Sequence, residues 1–239
     1  MTLLILPLRA GEDNEELRYA LRSWEEHLLL PDGLYLLVVG DHPSWLEPDA
    51  FVQGNLYQSA QANVWTNVII GAQWAFANGY DEAVYMNDDF FCTDPVVALP
   101  VYRRNRTLAQ HLAMFPQRDD MWFVRSLDLT GLWLTNQGYP SPLSYDVHRP
   151  LLCKPQAMLS ALTKWDGDLE GDIPQWRTIY GVLNEVEAVP VADVKLGVAE
   201  GNQHAPWVST SDISWRKYGL MLQQRFPKPS RWEQQQQPS

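Results

Sequence analysis

The chain has few cysteines, few basic residues and no long apolar run, and each shortage excludes a class of protein. Cys92 and Cys153 are too few for a disulfide scaffold and lack metal-site spacing, so both are expected to be reduced thiols. No apolar run approaches the roughly 20 residues that a membrane-spanning helix needs, and the first residues lack a basic leader with a cleavage site. These absences predict a cytoplasmic protein with no membrane partner.

Positive charge is scarce in a chain that is otherwise typical of globular proteins. Apolar residues make up 46% of it, and 18 Lys and Arg stand against 29 Asp and Glu, a net charge of −11. Such a balance argues against a surface that coats nucleic acid or anionic membrane. Ten of the 18 basic residues nevertheless fall within residues 103–125 and 216–231, and the second window has no acidic residue. A local site for a polyanion is one hypothesis, and solvated basic faces are the commoner alternative.

Apolar runs alternate with helical patterns through the first part of the chain. Residues 3–8, 34–39 and 83–86 predict buried strands, because each is a short run of continuous apolar residues. Helical spacing predicts helices over residues 15–28 and from about residue 60, the second with Gly79 as its terminating glycine. Asp13 followed by Glu16 is typical of a capping box at the start of the first helix. Three βα units with parallel strands follow from this order.

The second part of the chain is less regular. Residues 122–124 and 131–135 predict strands of an antiparallel extension, and residues 187–194 alternate as a strand does. Helices are predicted over residues 155–164 and 174–183, with a last helix that starts near Asp212 and ends near Arg225. From Pro227 the chain is rich in Pro, Lys and Gln, which predicts a mobile tail. We therefore predict one domain over residues 1–228, with halves at 1–94 and 95–228, and a flexible tail over residues 229–239.

The strand at residues 83–86 ends abruptly in Asn87-Asp88-Asp89, before two phenylalanines. Adjacent carboxylates between apolar neighbours repel each other and are costly to desolvate unless a cation or hydrogen-bond donors offset their charge. Magnesium and manganese accept such oxygen ligands, often together with a substrate's phosphates. Parallel βα units would bring Arg9, Asp41 and this cluster to one carboxyl edge of the sheet, where ligands bind in open α/β folds. The alternative is a solvated turn, because Asp and Asn are common turn residues.

Several short motifs occur in an order that resembles a known family. They are Pro7-Leu8-Arg9 after the first strand, residues 15–23 (EELRYALRS), Gly40-Asp41 with Pro43-x-Trp45-Leu46, and Met86 to Phe91 (MNDDFF). Together they resemble the Stealth-type sugar-phosphate transferases and a group of bacteriophage glycosyltransferase-like proteins of similar length. Residues 146–150, 177–181, 193–195 and 209–212 resemble the phage group. The chain lacks the N-terminal Tyr-Thr-Trp-Val-Asp-Gly element of the Stealth proteins.

This resemblance implies an α/β fold of GT-A type, a Rossmann-like mixed sheet flanked by helices, and a metal-dependent glycosyltransferase. In such enzymes Mn²⁺ or Mg²⁺ stabilises the departing diphosphate of a nucleotide-sugar donor, for which a UDP-sugar is the guess here. By similarity, the metal is assigned to Asp88, Asp89 and His204, and the donor to Arg9, Asp41, Asn67, Asn87, Asp88, Arg177 and Lys195. For Arg177, Lys195 and His204, the alternative is a surface cation or an unliganded loop histidine.

Transfer with inversion needs a group that accepts the proton of the acceptor hydroxyl. Asp146 and His148, two residues apart in an extended segment, are candidates on one face of the chain, and Asp212 competes with them. The acceptor carries a hydroxyl group, and a hydroxymethylated pyrimidine in phage DNA is one hypothesis for it. Two other functions stay open: a Stealth-like sugar-1-phosphate transferase, and a binding module for nucleotides or carbohydrates without catalysis. Inverting and retaining chemistry are not distinguished.

Overall fold

A computed structural model describes residues 1–9, 13–54, 57–115, 121–197 and 205–234. Within these ranges the strands are β1 (Thr2–Leu8), β2 (Leu34–Gly40), β3 (Ala50–Gln53), β4 (Ala83–Tyr85), β5 (Phe90–Cys92), β6 (Tyr102–Arg104), β7 (Leu151–Cys153), β8 (Val189–Val191) and β9 (Trp207–Ser209). The helices are α1 (Glu15–His27), α2 (Ala60–Ala77), α3 (Leu108–Leu112), α4 (Trp122–Asn136), α5 (Pro155–Leu162), α6 (Trp176–Leu183) and α7 (Asp212–Arg225).

The central sheet has five strands in the order β3-β2-β1-β4-β7. Strands β3, β2, β1 and β4 are parallel, and β7 adds to β4 in the antiparallel direction. The fold is therefore α/β with a mixed sheet, as predicted, and the three predicted strands β1, β2 and β4 are parallel, with α1 and α2 in the connections between them; β4 is followed by β5 and not by a third helix. Because β7 comes from the second half of the chain, residues on both sides of the predicted division at residue 94 build one sheet.

Both faces of the sheet are covered, which explains why its strands read as continuous apolar runs. Leu4 and Leu6 pack with α1 and α7, whereas Leu3 and Ile5, which point to the opposite face, pack with α2, α5 and α6. Cys92 and Cys153 are buried free thiols, in agreement with the sequence prediction. Burial raises the pKa of the Cys92 thiol to about 12, so the thiol stays protonated and unreactive at neutral pH.

Helix α2 has the terminating glycine that the sequence predicts, and it begins with a capping serine that was not predicted. Ser59 begins it, and the Ser59 side chain accepts a hydrogen bond from the Ala62 amide. At the other end Gly79 has φ +78°, and the amides of Gly79 and Tyr80 donate to the carbonyls of Phe76 and Ala75. This is the double hydrogen bond of a Schellman motif, which requires a left-handed residue and so favours glycine.

Two sequence predictions about helices are wrong. Residues 122–136 form one helix, α4, in place of the two predicted strands, because Val124, Leu127 and Leu134 bury a single helical face. The capping box is also absent: Asn14 is the residue that precedes α1, with φ +46° and no side-chain cap. The Glu16 side chain therefore takes no part in a capping box, and it lies near other carboxylates.

The predicted mobile tail is wrong for residues 229–234, which pack against the body of the protein. Trp232 is 1% exposed, and its indole nitrogen donates to Asp49 Oδ2 at 2.9 Å. Glu233 is paired with Arg18 at 2.9 Å and Arg22 at 2.8 Å on α1. The segment thus ties α1 to the connection between β2 and β3. Residues 235–239 lie outside the described part of the chain.

Candidate functional site

A cleft of about 580 Å³ opens at the carboxyl ends of β1 and β4, beside the N-terminal half of α2. Ligands of open α/β sheets bind at this edge because successive βα loops meet there. Most of the side chains that the sequence singled out line this cleft: Arg9, Asn67, Asn87, Asp88, Asp146, His148, Arg177 and Lys195. The two halves of the chain therefore contribute to one site.

The Asp88-Asp89 pair follows β4 in a tight turn that links it to β5. The turn is held in place because β5 pairs with β9, and Ser209 Oγ on β9 donates to Asp89 Oδ2 at 2.6 Å. The other carboxylate oxygen, Asp89 Oδ1, is buried and has no hydrogen-bond partner in the described part of the chain. A buried carboxylate oxygen without a donor is costly, which is the condition that a bound cation relieves.

Four carboxylates influence one another at this turn. Burial and the charges of Asp89, Asp88 and Asp212 raise the pKa of Glu16 to about 8, partly offset by Lys195. Burial and the charge of Asp89 raise the pKa of Asp88 to about 6, while a backbone hydrogen bond and Arg9 act in the opposite direction. Glu16 was missed as a site residue. The sequence does contain an indication of this position: Ala20 and Ser23 follow Glu16 by four and seven residues, and this helical spacing places Glu16 on the buried face of α1.

Replacing Glu16 by glutamine is expected to stabilise the metal-free protein increasingly as pH rises from 5 to 8. The pKa of Glu16 is higher in the folded protein than the ordinary 4.5, so the folded state binds more protons and loses stability while the unfolded chain ionises. The gain should be absent near pH 4 and reach about 1–2 kcal/mol at pH 8, allowing for partial solvent access. Urea unfolding in chelator measures it.

Exposed Glu15 provides the matched control, because Glu15→Gln lies one residue away on the solvent side of α1. Its effect on the free energy of unfolding should be small at every pH. A gain for Glu16→Gln that does not change between pH 4 and pH 8 would contradict the carboxylate cluster.

The donor set at the turn fits a divalent cation that is shared with a ligand. Among the described residues, no three or more His, Cys, Asp or Glu side chains form a group that could hold a metal ion alone. Magnesium is usually bound by one or two carboxylates, with water and substrate phosphates completing its shell, so Asp88 and Asp89 suffice as protein ligands. His204, the third ligand expected from the sequence, lies outside the described residues.

Arg177 provides positive charge in the cleft wall. It is 5% exposed, and its guanidinium donates to the Arg149 carbonyl at 2.7 Å and to Asn87 Oδ1 at 3.1 Å. Burial lowers its pKa to about 10, so it stays charged at neutral pH. No ion pair to Arg177 occurs among the described residues. A buried guanidinium without a carboxylate partner is suited to receive an anionic ligand.

Asn67 is held at the edge of the sheet by two glycines. A Cβ atom at Gly40 would lie 2.6 Å from Asn67 Nδ2, and a Cβ atom at Gly54 would lie 2.3 Å from Asn67 Oδ1. Gly40 also has φ +124°, a conformation that other residues rarely adopt. Asn67 Oδ1 is buried and lacks a hydrogen-bond partner in the described ranges, so this amide too has capacity for a ligand.

His148 and Asp146 line the cleft together, as their spacing in an extended segment predicts. His148 Nδ1 contacts the carboxylate of Asp193 at 2.8 Å, and His148 Nε2 lies 3.3 Å from Lys195 Nζ. Asp146 Oδ2 is buried and has no hydrogen-bond partner within the described segments. Asp193 belongs to a sequence motif but was not predicted as a site residue, because no local pattern tells which distant side chain it contacts.

Aromatic side chains form the remaining wall of the cleft. Trp65, Phe123 and Trp176 are partly or fully buried there, whereas Trp122 at the start of α4 is 51% exposed. The Arg177 guanidinium stacks 4.8 Å from the Trp176 ring. Flat apolar surfaces beside hydrogen-bonding groups suit a nucleobase or the face of a sugar.

Three predicted residues that the structure describes do not line the cleft: Asp41, Asp212, and Asp89, which lies next to the cleft-lining Asp88. Asp41 is exposed, does not line the cleft, and its carboxylate accepts a hydrogen bond from the His42 amide at 2.8 Å. Asp212 is exposed at the first position of α7, and it reaches the site only through the effect of its charge on Glu16 and Asp88.

Fold and site together define an α/β chain with a cleft at the carboxyl edge of a mixed sheet, an architecture compatible with a Rossmann-like fold. Comparison with family models and with curated proteins finds no match for this chain. In the part of the chain that the structure describes, no helix has the length and apolar character needed to cross a membrane.

Proposed function

We propose that the protein is a metal-dependent glycosyltransferase on a GT-A-like scaffold, which moves a sugar from a nucleotide-diphosphate sugar to a hydroxyl group. One observation carries this proposal: Asp88 and a buried arginine that has no ion-pair partner among the described residues line the same cleft, and beside Asp88 the Asp89 carboxylate has a buried oxygen without a hydrogen-bond partner. A diphosphate with its divalent cation complements both features at once. The order of the sequence motifs supports the same function.

The donor diphosphate is assigned to the space between the Asp88-Asp89 turn and the cations of the cleft. Arg177 and Arg9 would bind phosphate oxygens, and Asp88 and Asp89 would hold Mn²⁺ or Mg²⁺. The ion, when bound, neutralises negative charge that develops on the departing diphosphate. Because the protein carries a net charge of −11, these local cations are needed to bind an anionic donor. The aromatic wall offers a stacking surface for the base or the sugar.

For inverting transfer, His148 is the best-placed proton acceptor. The acceptor oxygen forms a bond to the anomeric carbon, the bond from that carbon to the phosphate oxygen breaks, and its electron pair leaves with the diphosphate. The proton of the hydroxyl passes to His148 Nε2, the ring nitrogen on the Lys195 side. Asp146 lines the same cleft and is the competing acceptor.

A hydroxymethylated pyrimidine in DNA is the proposed acceptor, which the resemblance to phage enzymes suggested and which the basic residues between Arg103 and Arg118 support as a polyanion site. Part of that support is lost, because Arg104 is 6% exposed and pairs with Asp193 at 2.6 Å. Incubation with a nucleotide sugar and a duplex containing hydroxymethylcytosine tests this acceptor directly. Absence of any sugar on the duplex would reject DNA as the acceptor and leave the donor assignment intact.

Nucleotide sugars are expected to raise the melting temperature only when Mn²⁺ is present. At a concentration about 100-fold above Kd the ligand stabilises by about 2.7 kcal/mol, or roughly 5–10 °C for a chain of this size. A thermal-shift screen of UDP-, GDP- and TDP-sugars, with Mn²⁺ or with chelator, measures this. Equal shifts in chelator, or no shift with any donor, would contradict the proposal.

The nucleotide that is released identifies the reaction. Glycosyl transfer releases a nucleoside diphosphate, whereas transfer of sugar-1-phosphate releases a nucleoside monophosphate. Chromatography of the nucleotide products therefore separates the proposed activity from the Stealth-like alternative. A donor that binds with Mn²⁺ but is never turned over with any acceptor would instead indicate a binding module.

A further inference from the structure

A chain of buried polar contacts leads from Arg104 through Asp193 to His148. Arg104 Nη2 lies 2.6 Å from Asp193 Oδ2, and Arg104 Nε donates to the Asp146 carbonyl at 2.6 Å. Asp193 is 4% exposed and contacts His148 Nδ1 at 2.8 Å. The chain ends at His148, whose side chain is 26% exposed where it lines the cleft.

The backbone holds the first two members of this chain, Arg104 and Asp193, in register. Arg104 ends β6, which pairs with β8, and Asp193 follows β8 by two residues. The amides of Val194 and His148 also donate to Asp193 Oδ1, at 2.8 and 3.3 Å. Burial by itself raises the pKa of Asp193, but the hydrogen bond from His148, the charge of Arg104 and the Val194 amide hold it well below its usual range. Asp193 is therefore an anion that can only accept hydrogen bonds.

The partners of His148 determine which ring nitrogen carries its proton. Because ionised Asp193 only accepts, His148 Nδ1 must carry a hydrogen atom and donate it. An ammonium group only donates, so Lys195 Nζ at 3.3 Å from His148 Nε2 requires a lone pair on that nitrogen. Both contacts select the same neutral tautomer. A doubly protonated ring would place an N–H group against the lysine.

We propose that Asp193, held by Arg104, is a positioning residue that keeps His148 in the Nδ1-protonated tautomer, with the Nε2 lone pair available to a hydroxyl group in the cleft. The role in proton transfer rests on the proposed function, whereas the tautomer does not. During transfer, Nε2 takes the hydroxyl proton and the Asp193 carboxylate stabilises the imidazolium that forms. In the free protein Lys195 donates a hydrogen bond to the Nε2 lone pair, and the acceptor hydroxyl takes the place of Lys195 there when it binds.

A structural role alone makes a different prediction. If Asp193 served only to neutralise buried Arg104, the contact with Lys195 alone would set the tautomer of His148, and replacing Asp193 would change stability without changing the state of the imidazole. The protonation state of the two ring nitrogens therefore separates the two interpretations. It can be measured in the free protein, without donor, acceptor or metal.

The experiment is a long-range ¹H–¹⁵N NMR spectrum of the imidazole groups in the full chain at pH 7.5, with His148→Gln used to assign His148. The expected result is a protonated Nδ1 and an unprotonated Nε2, the minor tautomer of free histidine. Asp193→Asn should shift part of the population to the Nε2-protonated tautomer, because the amide lacks the negative charge that holds the Nδ1 proton, while Lys195 still favours a lone pair on Nε2. Asp172→Asn, which removes an exposed pair with Arg125, is the control and should leave the His148 signals unchanged.

A wild-type spectrum that shows His148 doubly protonated, or protonated at Nε2, overturns the proposal, even if the Asp193→Asn variant does not fold. Once an acceptor is known, Asp193→Asn should lower kcat about 10²–10⁴-fold with little change in the donor KM, and Asp193→Glu should restore part of the activity. The correct tautomer without any transferase activity would reject the proposed function alone. Equal kcat values for Asp193→Asn and wild type would reject the positioning role.

Discussion

Replacement of Asp89 by asparagine is expected to lower the rate of sugar transfer about 10³-fold and to weaken Mn²⁺-dependent donor binding. Asp89 Oδ1 is buried without a hydrogen-bond partner in the described segments, and Asp88 next to it carries a carboxyl group of raised pKa. Asparagine keeps the shape and can still accept from Ser209, but it removes the charge that offsets a cation. Calorimetric titration with Mn²⁺ and a nucleotide sugar, together with initial rates, measures both effects.

Asp128 is a suitable control because it is exposed on α4 and does not line the cleft. Asp128→Asn removes the same charge from the protein and should change the rate less than twofold. The melting temperature of the Asp89→Asn variant should not fall, since the substitution removes repulsion between neighbouring carboxylates. Normal turnover by Asp89→Asn, with the same response to chelator as wild type, would reject the assignment of a catalytic metal to Asp89.

Trp232→Ala is expected to lower the free energy of unfolding by about 3–5 kcal/mol, the usual cost of removing a buried aromatic side chain. Trp232 is 1% exposed and packs in the core that contains β1, α1 and α7. Its indole nitrogen donates to Asp49, and its carbonyl accepts from the Glu47 amide at 2.7 Å. Loss of the ring therefore creates a cavity and leaves the Asp49 carboxylate without one of its donors. Guanidinium unfolding at equilibrium measures the change.

Trp122→Ala is the matched control, because Trp122 is 51% exposed at the rim of the cleft. It should cost less than about 1 kcal/mol, as surface substitutions usually do. A chain that ends at residue 228 should lose at least as much stability as Trp232→Ala, since it also removes the pairs of Glu233 with Arg18 and Arg22. If both changes left the unfolding curve unaltered, the segment at residues 229–234 would not be packed in solution.

Four elements of the central unit, β1, α1, β2 and α2, were predictable because local pattern and tertiary role agree in them. Residues 3–8 and 34–39 are continuous apolar runs because their strands are covered on both faces, both helices show helical spacing, and α2 has the predicted glycine at its end. The position of the Asp88-Asp89 pair at the carboxyl edge followed from this order of elements. Strand β3 was not predicted, since four edge residues have no distinctive pattern.

Helix α4 shows where local pattern misleads. Trp122, Phe123 and Val124, and later Trp133 and Thr135, have the side chains that strands favour, and this composition predicted two strands. Only the fold supplies the reason for a helix, since Val124, Leu127 and Leu134 pack on one side against Tyr145 and Val182. The predicted mobile tail was wrong for a similar reason. The residues around Trp232 are polar, and their composition gives no indication that the core buries the Trp232 side chain.

By itself, the sequence determined an α/β chain with three parallel strands and a carboxylate pair at their common edge, because strand burial, helix periodicity and chain order are local properties. The tertiary structure alone decided that Glu16 joins the carboxylates, that Arg177 lacks an ion pair among the described residues, and that Asp193 supports His148. These contacts join residues 45 to 90 positions apart or come from different elements. No short segment of the sequence shows which distant side chain each of these residues will contact.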